Sequence, residues 1–297
     1  MKELNIKKIL IPLDFSFTSM KALDQAVVLA KLTDAEITLV HVIENIYATT
    51  EPAYYSIPIS ESYESDLMKL SNESLSKVAE KIKKKGVNKV KIVSITGRTH
   101  KEIIGLSKKI KADIIVIGTH GVSGFREFIM GSNTYRIVSD AKCPVLSVQR
   151  KNKAESFKTI LVPFTDHPHS REKVMYAIRM GEIYDAALHI LGIDDERTKA
   201  HSKKIELEAK QIKQLVENYN LNCVIKTISA SYLAKTLLDY AKKINADAIV
   251  TIGDDYRQDI TEYFTGSISQ QIVNHSPIPV LSIHSRFNPD TVDLRFY

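Results

Sequence analysis

Short runs of apolar residues, bounded by polar residues, recur along the chain and alternate with segments whose apolar positions repeat every three to four residues. In the first half the runs Ile9–Pro12, Ile37–Ile43, Val90–Ile95, Ile114–Ile117 and Val145–Val148 have strand length and are rich in Ile and Val. The periodic segments between them predict helices near Thr18–Leu32, Asp66–Lys85, His100–Ile110 and Ser132–Ser139. Strands that are apolar on both faces, separated by crossover-length helices, predict a parallel sheet covered on both sides. Right-handed crossovers then give a doubly wound α/β fold.

The pattern occurs twice. Lys8-Ile9-Leu10-Ile11-Pro12 returns as Thr159-Ile160-Leu161-Val162-Pro163, and Asp34-Ala35-Glu36-Ile37-Thr38-Leu39 as Asp185-Ala186-Ala187-Leu188-His189-Ile190. Ala112-Asp113 with its apolar run and Gly118 returns as Ala246-Asp247 with Gly253, and Pro144-Val145-Leu146-Ser147-Val148 as Pro279-Val280-Leu281-Ser282-Ile283. The offset is 151 residues early and about 135 late, so the first copy carries about sixteen extra residues. These are assigned to the loop-like stretch Asn45–Asp66. The chain is therefore expected to hold two domains, residues 1–150 and 157–285, joined by a polar segment and followed by a tail over 286–297.

Composition narrows the function classes. The chain has 44% hydrophobic and 26% charged residues, as an ordinary globular protein does. No apolar run reaches membrane-spanning length, and the N-terminus lacks a secretory pattern, so cytoplasmic localisation is expected and no membrane partner. Cys143 and Cys223 are too few for a disulfide framework and read as buried thiols. The net charge of +6 resides in residues 1–150, where 22 Lys and Arg face 16 Asp and Glu; residues 151–297 carry 19 of each. Many of these lysines fall in one surface helix, without aromatic interleaving, so nucleic acid is not an expected partner.

Candidate chemistry lies beyond the strand ends, where an open α/β sheet gathers ligands. Four of only 11 glycines fall within residues 118–131. A Gly-rich turn running into a helix start presents main-chain N–H groups and a partial positive charge, which suits phosphate. Ser132 and Thr134 offer hydroxyl donors there, and Asp14 offers an acceptor for ribose hydroxyls or an adenine amine. Gly118 and Gly121 alone read equally as a tight turn.

With Gly131-Ser132 added, the spacing Gly118, two residues, Gly121, nine residues, Gly131 resembles the nucleotide-binding signature of the universal stress protein family. Ile9 to Asp14 resembles that family's opening strand with its nucleotide-contacting Asp. The resemblance implies two tandem doubly wound domains of the adenine nucleotide alpha hydrolase-like type, each a mainly parallel five-stranded sheet. It implies ATP, with Mg²⁺, as cofactor. Pro12, Leu13 and Asp14 would hold the adenosine end and the backbone of Val42 would meet the adenine. Gly118, His120, Gly121, Gly131, Ser132, Asn133 and Thr134 would line the phosphates, His120 being equally readable as a surface loop residue. The last strands, Val145–Val148 and Val280–Ile283, are expected to pair and form an internal pseudo-dimer; homo-oligomers remain open.

The second copy departs from the signature. Tyr256 replaces the second glycine, Asp254 and Asp255 replace Thr119 and His120, and Thr165 stands where Asp14 does. Weak or absent ATP binding is expected there, Asp254 and Asp255 reading as a solvated acidic loop or, more sharply, a cation site. His167 and His169 lack a third metal ligand nearby and read as a helix-start loop. Ser16, Thr18 and Ser19 read as helix caps rather than nucleophiles. The function expected is a nucleotide-binding regulatory protein of the stress response with little or no hydrolysis and no catalytic residue. The alternatives are a slow ATPase or adenylyl-transferring enzyme, and a nucleotide-free tandem scaffold.

Overall fold

A computed structural model describes residues 5–44, 61–119, 131–150, 152, 156–165, 172–195, 202–253 and 268–284. The first copy runs β1 (Lys8–Pro12), α1 (Phe17–Thr33), β2 (Glu36–Glu44), α2 (Glu61–Lys84), β3 (Val90–Gly97), α3 (Thr99–Ile110), β4 (Ile114–Gly118), α4 (Ser132–Asp140) and β5 (Val145–Val148). The second repeats it as β6 (Thr159–Phe164), α5 (Glu172–Tyr184), β7 (Ala187–Asp195), α6 (Ser202–Glu217), β8 (Cys223–Ala230), α7 (Leu233–Lys243), β9 (Ala248–Gly253), α8 (Ile268–His275) and β10 (Val280–His284). The expected elements are present within a few residues. One differs at its start: α2 begins at Glu61, inside the stretch expected to be loop.

All ten strands form one sheet in the order β3-β2-β1-β4-β5-β10-β9-β6-β7-β8. Pairing is parallel within each copy, and β5 meets β10 antiparallel, Leu146 opposite Leu281. Central strands such as β1 and β4 are buried on both faces, as their continuous Ile and Val runs require. One core layer holds Ile9, Ile11, Leu23 and Leu75 with their counterparts; the opposite layer holds Leu10, Ile103, Ile115 and Ile137.

The repeat extends to backbone detail. Asp34 and Asp185 both end a helix at φ 52, Lys111 and Asn245 take left-handed φ of 54 and 50 before β4 and β9, and Gly86 (φ 96) corresponds to Asn220 (φ 57). Asp113 Oδ2 accepts the main-chain N–H groups of Lys7 and Lys8 at 2.8 and 2.9 Å. Asp247 does the same for Lys158 and Thr159 at 2.7 and 2.9 Å. These repeated aspartates tie the amino ends of neighbouring strands, and leave the carboxyl ends as the face available to a ligand.

Cys143 and Cys223 are half-buried free thiols, both pushed up to about 11 by burial. Among the described residues, no helix is long and apolar enough to cross a membrane.

Candidate functional site

In each half the order 3-2-1-4-5 makes β1 and β4 (or β6 and β9) adjacent strands whose connections leave in opposite directions. Such a switch point opens a crevice past the carboxyl ends. In the first copy Pro12, Leu13 and Asp14 border it. Leu13 donates its N–H to the Val40 carbonyl at 2.8 Å, the last main-chain link between β1 and β2. Main-chain groups two residues apart on a strand face the same neighbour. Val42 therefore turns its N–H and C=O toward the line of β1 after β1 has ended. A planar ligand with one donor and one acceptor on an edge fits that geometry.

Asp14 is partly buried, and Oδ1 accepts the Ser16 N–H at 3.0 Å. Burial pushes its carboxyl up, but hydrogen bonds from Ser16 and Ser19 outweigh that and hold it below the usual value. At neutral pH it is an ionised acceptor. Ser16, the N-cap of α1, accepts the Ser19 N–H at 3.2 Å, so its hydroxyl is a cap and not a nucleophile. Between Asp14 and Ser16, Phe15 takes φ 60, a left-handed conformation that an aromatic residue seldom adopts. Its ring lies 5.0 Å from that of His41. His41 Nδ1 is 2.6 Å from the Leu13 carbonyl; a carbonyl only accepts, so Nδ1 carries the proton. The turn after β1 is thus held from below by His41 and from the helix side by Ser16.

The other wall joins β4 to α4. A Cβ on Gly118 would stand 2.8 Å from the Thr18 carbonyl carbon and 3.0 Å from the Ser19 nitrogen. Glycine there lets the end of β4 approach the first turn of α1. Gly131 donates its N–H to the Thr119 carbonyl at 2.9 Å, and the Thr134 hydroxyl donates to the Gly118 carbonyl at 3.0 Å. These two bonds stitch the start of α4 to the end of β4. The Thr134 proton is thereby spent on the protein, and its hydroxyl faces any ligand as an acceptor. Gly131 differs from Gly118: among the described residues its Cβ would meet only the Thr119 oxygen, at 3.6 Å. It caps α4 with no side-chain hydrogen bond, and Ser132 is exposed. The first-turn amides of α4 are the kind of donor that an anion satisfies. Asn133 is engaged sideways, its Nδ2 donating to Glu44 Oε1 at 3.2 Å. His120 and Gly121 lie outside the described residues, as do Asp254, Asp255, Tyr256, His167 and His169.

Leu13, Asp14, Val42, Gly118, Gly131, Ser132, Asn133 and Thr134 all lie at the carboxyl ends of β1, β2 and β4 or at the start of α4. Sequence reasoning missed His41, Glu44 and Thr99. His41 and Glu44 flank Val42, and their place at the end of a strand beside the switch point was the available signal.

The second copy is built differently at this end. Phe164 replaces Leu13 and is fully buried; Gly192 replaces His41. A Cβ on Gly192 would lie 3.0 Å from the Phe164 ring, so the larger residue fills the space that the histidine vacates. Thr165 stands in the place of Asp14 and supplies no charge. Ser269, the counterpart of Thr134, donates to the Ile252 carbonyl at 2.5 Å. Among the described residues no group of three or more His, Cys, Asp or Glu can hold a metal ion.

Known proteins share this organisation. A universal stress protein of Archaeoglobus fulgidus superposes over 95% of this chain and 97% of its own, with a TM-score of 0.73 at 21% identity, a likeness of fold. Half-length relatives match in sequence. Universal stress protein MJ0531 of Methanocaldococcus jannaschii is 35% identical over 150 residues, 50% of this chain and 84% of the relative. Universal stress protein YxiE of Bacillus subtilis is 30% identical over 145 residues, 48% of this chain and 98% of the relative. The sequence profile of the universal stress protein family matches twice, over residues 5–149 and 156–284, and the chain belongs to that family as a tandem two-domain member.

Proposed function

We propose that the first domain binds ATP, with Mg²⁺ carried on its phosphates, and that the protein acts as a nucleotide-responsive regulator in the stress response rather than as an enzyme. One arrangement supports this reading above all. An ionised Asp14, the main chain of Val42 past the end of β1, and the uncapped start of α4 border the same switch-point crevice. Asp14 would accept from ribose hydroxyls, Val42 would meet the adenine edge, and the first-turn amides of α4 with the side chains of Ser132 and Asn133 would receive phosphate oxygens, Gly131 leaving room for them. Gly118 contributes by packing, and Pro12 and Leu13 by shaping the turn.

The reading against hydrolysis rests on the same residues. Asp14 is held by Ser16 and Ser19 below the usual carboxylate pKa, which makes it a poor proton acceptor at neutral pH. In the second domain, Phe164 against Gly192 and the loss of Asp14 support weak or absent ATP binding.

Calorimetric titration with Mg²⁺ and ATP tests the proposal. One nucleotide per chain is expected, with binding reduced about tenfold or more in Asp14→Ala and in Gly121→Tyr, which copies the second domain's Tyr256 into the first. Two equal sites, or undiminished binding in both variants, would refute it. Rapid ATP turnover by the same pure protein would establish the enzyme reading instead.

A further inference from the structure

Glu44 ends β2, two residues past Val42, and its Oε1 accepts two hydrogen bonds: from Thr99 Oγ1 at 2.6 Å and from Asn133 Nδ2 at 3.2 Å. Thr99 is the first residue of α3 and Asn133 lies in the first turn of α4. Neither helix has a side-chain cap of its own, since Arg98 and Gly131 make no capping hydrogen bond. The Glu44 carboxylate therefore supplies the negative charge that two neighbouring helix starts attract. Glu44 is exposed, so this charge faces whatever approaches Asn133. The second copy keeps a carboxylate at this position, Asp195, but not the residues that bond it. The pairing register sets Glu44 opposite Gly97 and Asp195 opposite Ala230, so Tyr232 takes the place of Thr99 in the second copy. Ile268 there takes the place of Asn133. The trio is confined to the copy that keeps the glycine signature.

Resting on the nucleotide reading above, we infer that Glu44 is a resident anion at the phosphate end of the site and determines its charge specificity. A polyphosphate reaching Asn133 meets a carboxylate already bonded to that side chain. Bare nucleotide is repelled, while a nucleotide whose charge is offset by a divalent cation is admitted. Two like charges about 4 Å apart at a solvent-exposed site weaken binding by roughly fivefold, and by far more where water is excluded.

Glu44→Gln tests this, because the amide oxygen can still accept from Thr99 and Asn133 while the charge is gone. Titrations compare the intact protein with the variant for adenosine, ATP in chelator, and ATP with excess Mg²⁺. The expected result is unchanged adenosine affinity, ATP affinity in chelator raised about tenfold, and Mg²⁺-loaded ATP affinity changed less than about threefold. Glu44→Ala should follow the same pattern if charge is what matters. Equal ATP affinity of both proteins in chelator would overturn the inference while leaving the nucleotide site standing. Weaker ATP binding by Glu44→Gln would also overturn it, since Glu44 would then orient Asn133 as a ligand. If the intact protein binds neither adenosine nor ATP, both readings fall.

Discussion

Single residues at the crevice divide into those that shape the backbone and those that face outward. Gly118 belongs to the first group, because an added methyl would run into the main chain of Thr18, which cannot swing away as a side chain would. Gly118→Ala should lower stability by about 1–3 kcal/mol. Gly131→Ala should cost under about 1 kcal/mol, since among the described residues the added methyl meets ordinary contact at 3.6 Å and the helix loses a preferred capping residue. Urea unfolding of the two variants checks the contrast, and equal losses would refute the assignment of Gly118 to packing. Asp14 carries a pH signature. Its carboxyl is held below the ordinary value of 3.8 in the fold, so the stabilisation it gives is present above that value and is lost as pH falls through the lower folded value. Asp14→Asn should therefore show a flatter fall of urea midpoint below about pH 4 than the intact protein does.

At the level of elements, α1 and α5 hold equivalent places, and one buried position sets them apart in charge. Counting back from their matching left-handed caps, Asp34 and Asp185, aligns Lys173 with the fully buried Ala22. Lys173 is buried too, and burial pushes its ammonium down to about 7. The folded state thus disfavours the charged form. The cost is present in full below about pH 7, shrinks between about 7 and the ordinary value of 10.5, and vanishes above it. Stability should accordingly rise with pH across that window. Lys173→Met should abolish the rise and stabilise the protein at pH 7 by on the order of a few kcal/mol. Thermal melts at pH 7 and 9.5 decide this; a variant no more stable than the intact protein at pH 7 would contradict it.

The whole molecule is defined by its seam. β5 and β10 close two five-stranded sheets into one, with Ser147 Oγ donating across to the Val280 carbonyl at 3.1 Å. The seam continues off the sheet, where Gln270 of α8 donates to the Tyr135 hydroxyl of α4. Removing one half would leave Val145, Leu146 and Val148 on an open strand edge, which invites pairing. Residues 1–150 produced alone should run at twice their monomer mass in light scattering, or precipitate. A soluble monomer would show that the seam contributes little.

Apolar periodicity and the internal repeat determined nine of the ten strands and their parallel grouping within each copy, because these follow from local pattern and from burial on both faces; β8, which has no matching run in the repeat, followed only from the family resemblance. The repeated Asp113 and Asp247 were visible as a pattern, although their bonds to the amino ends of β1 and β6 were not. Tertiary structure alone decided which side chains meet. Glu44 reaches Asn133 across 89 residues of sequence, Thr134 turns its hydroxyl onto Gly118, and Phe164 fills the space left by Gly192. Such pairings depend on where crossovers return the chain, and a one-dimensional period carries no record of them. The family resemblance pointed to the crevice; its charge and its spent hydrogen bonds emerged only once the strands lay side by side.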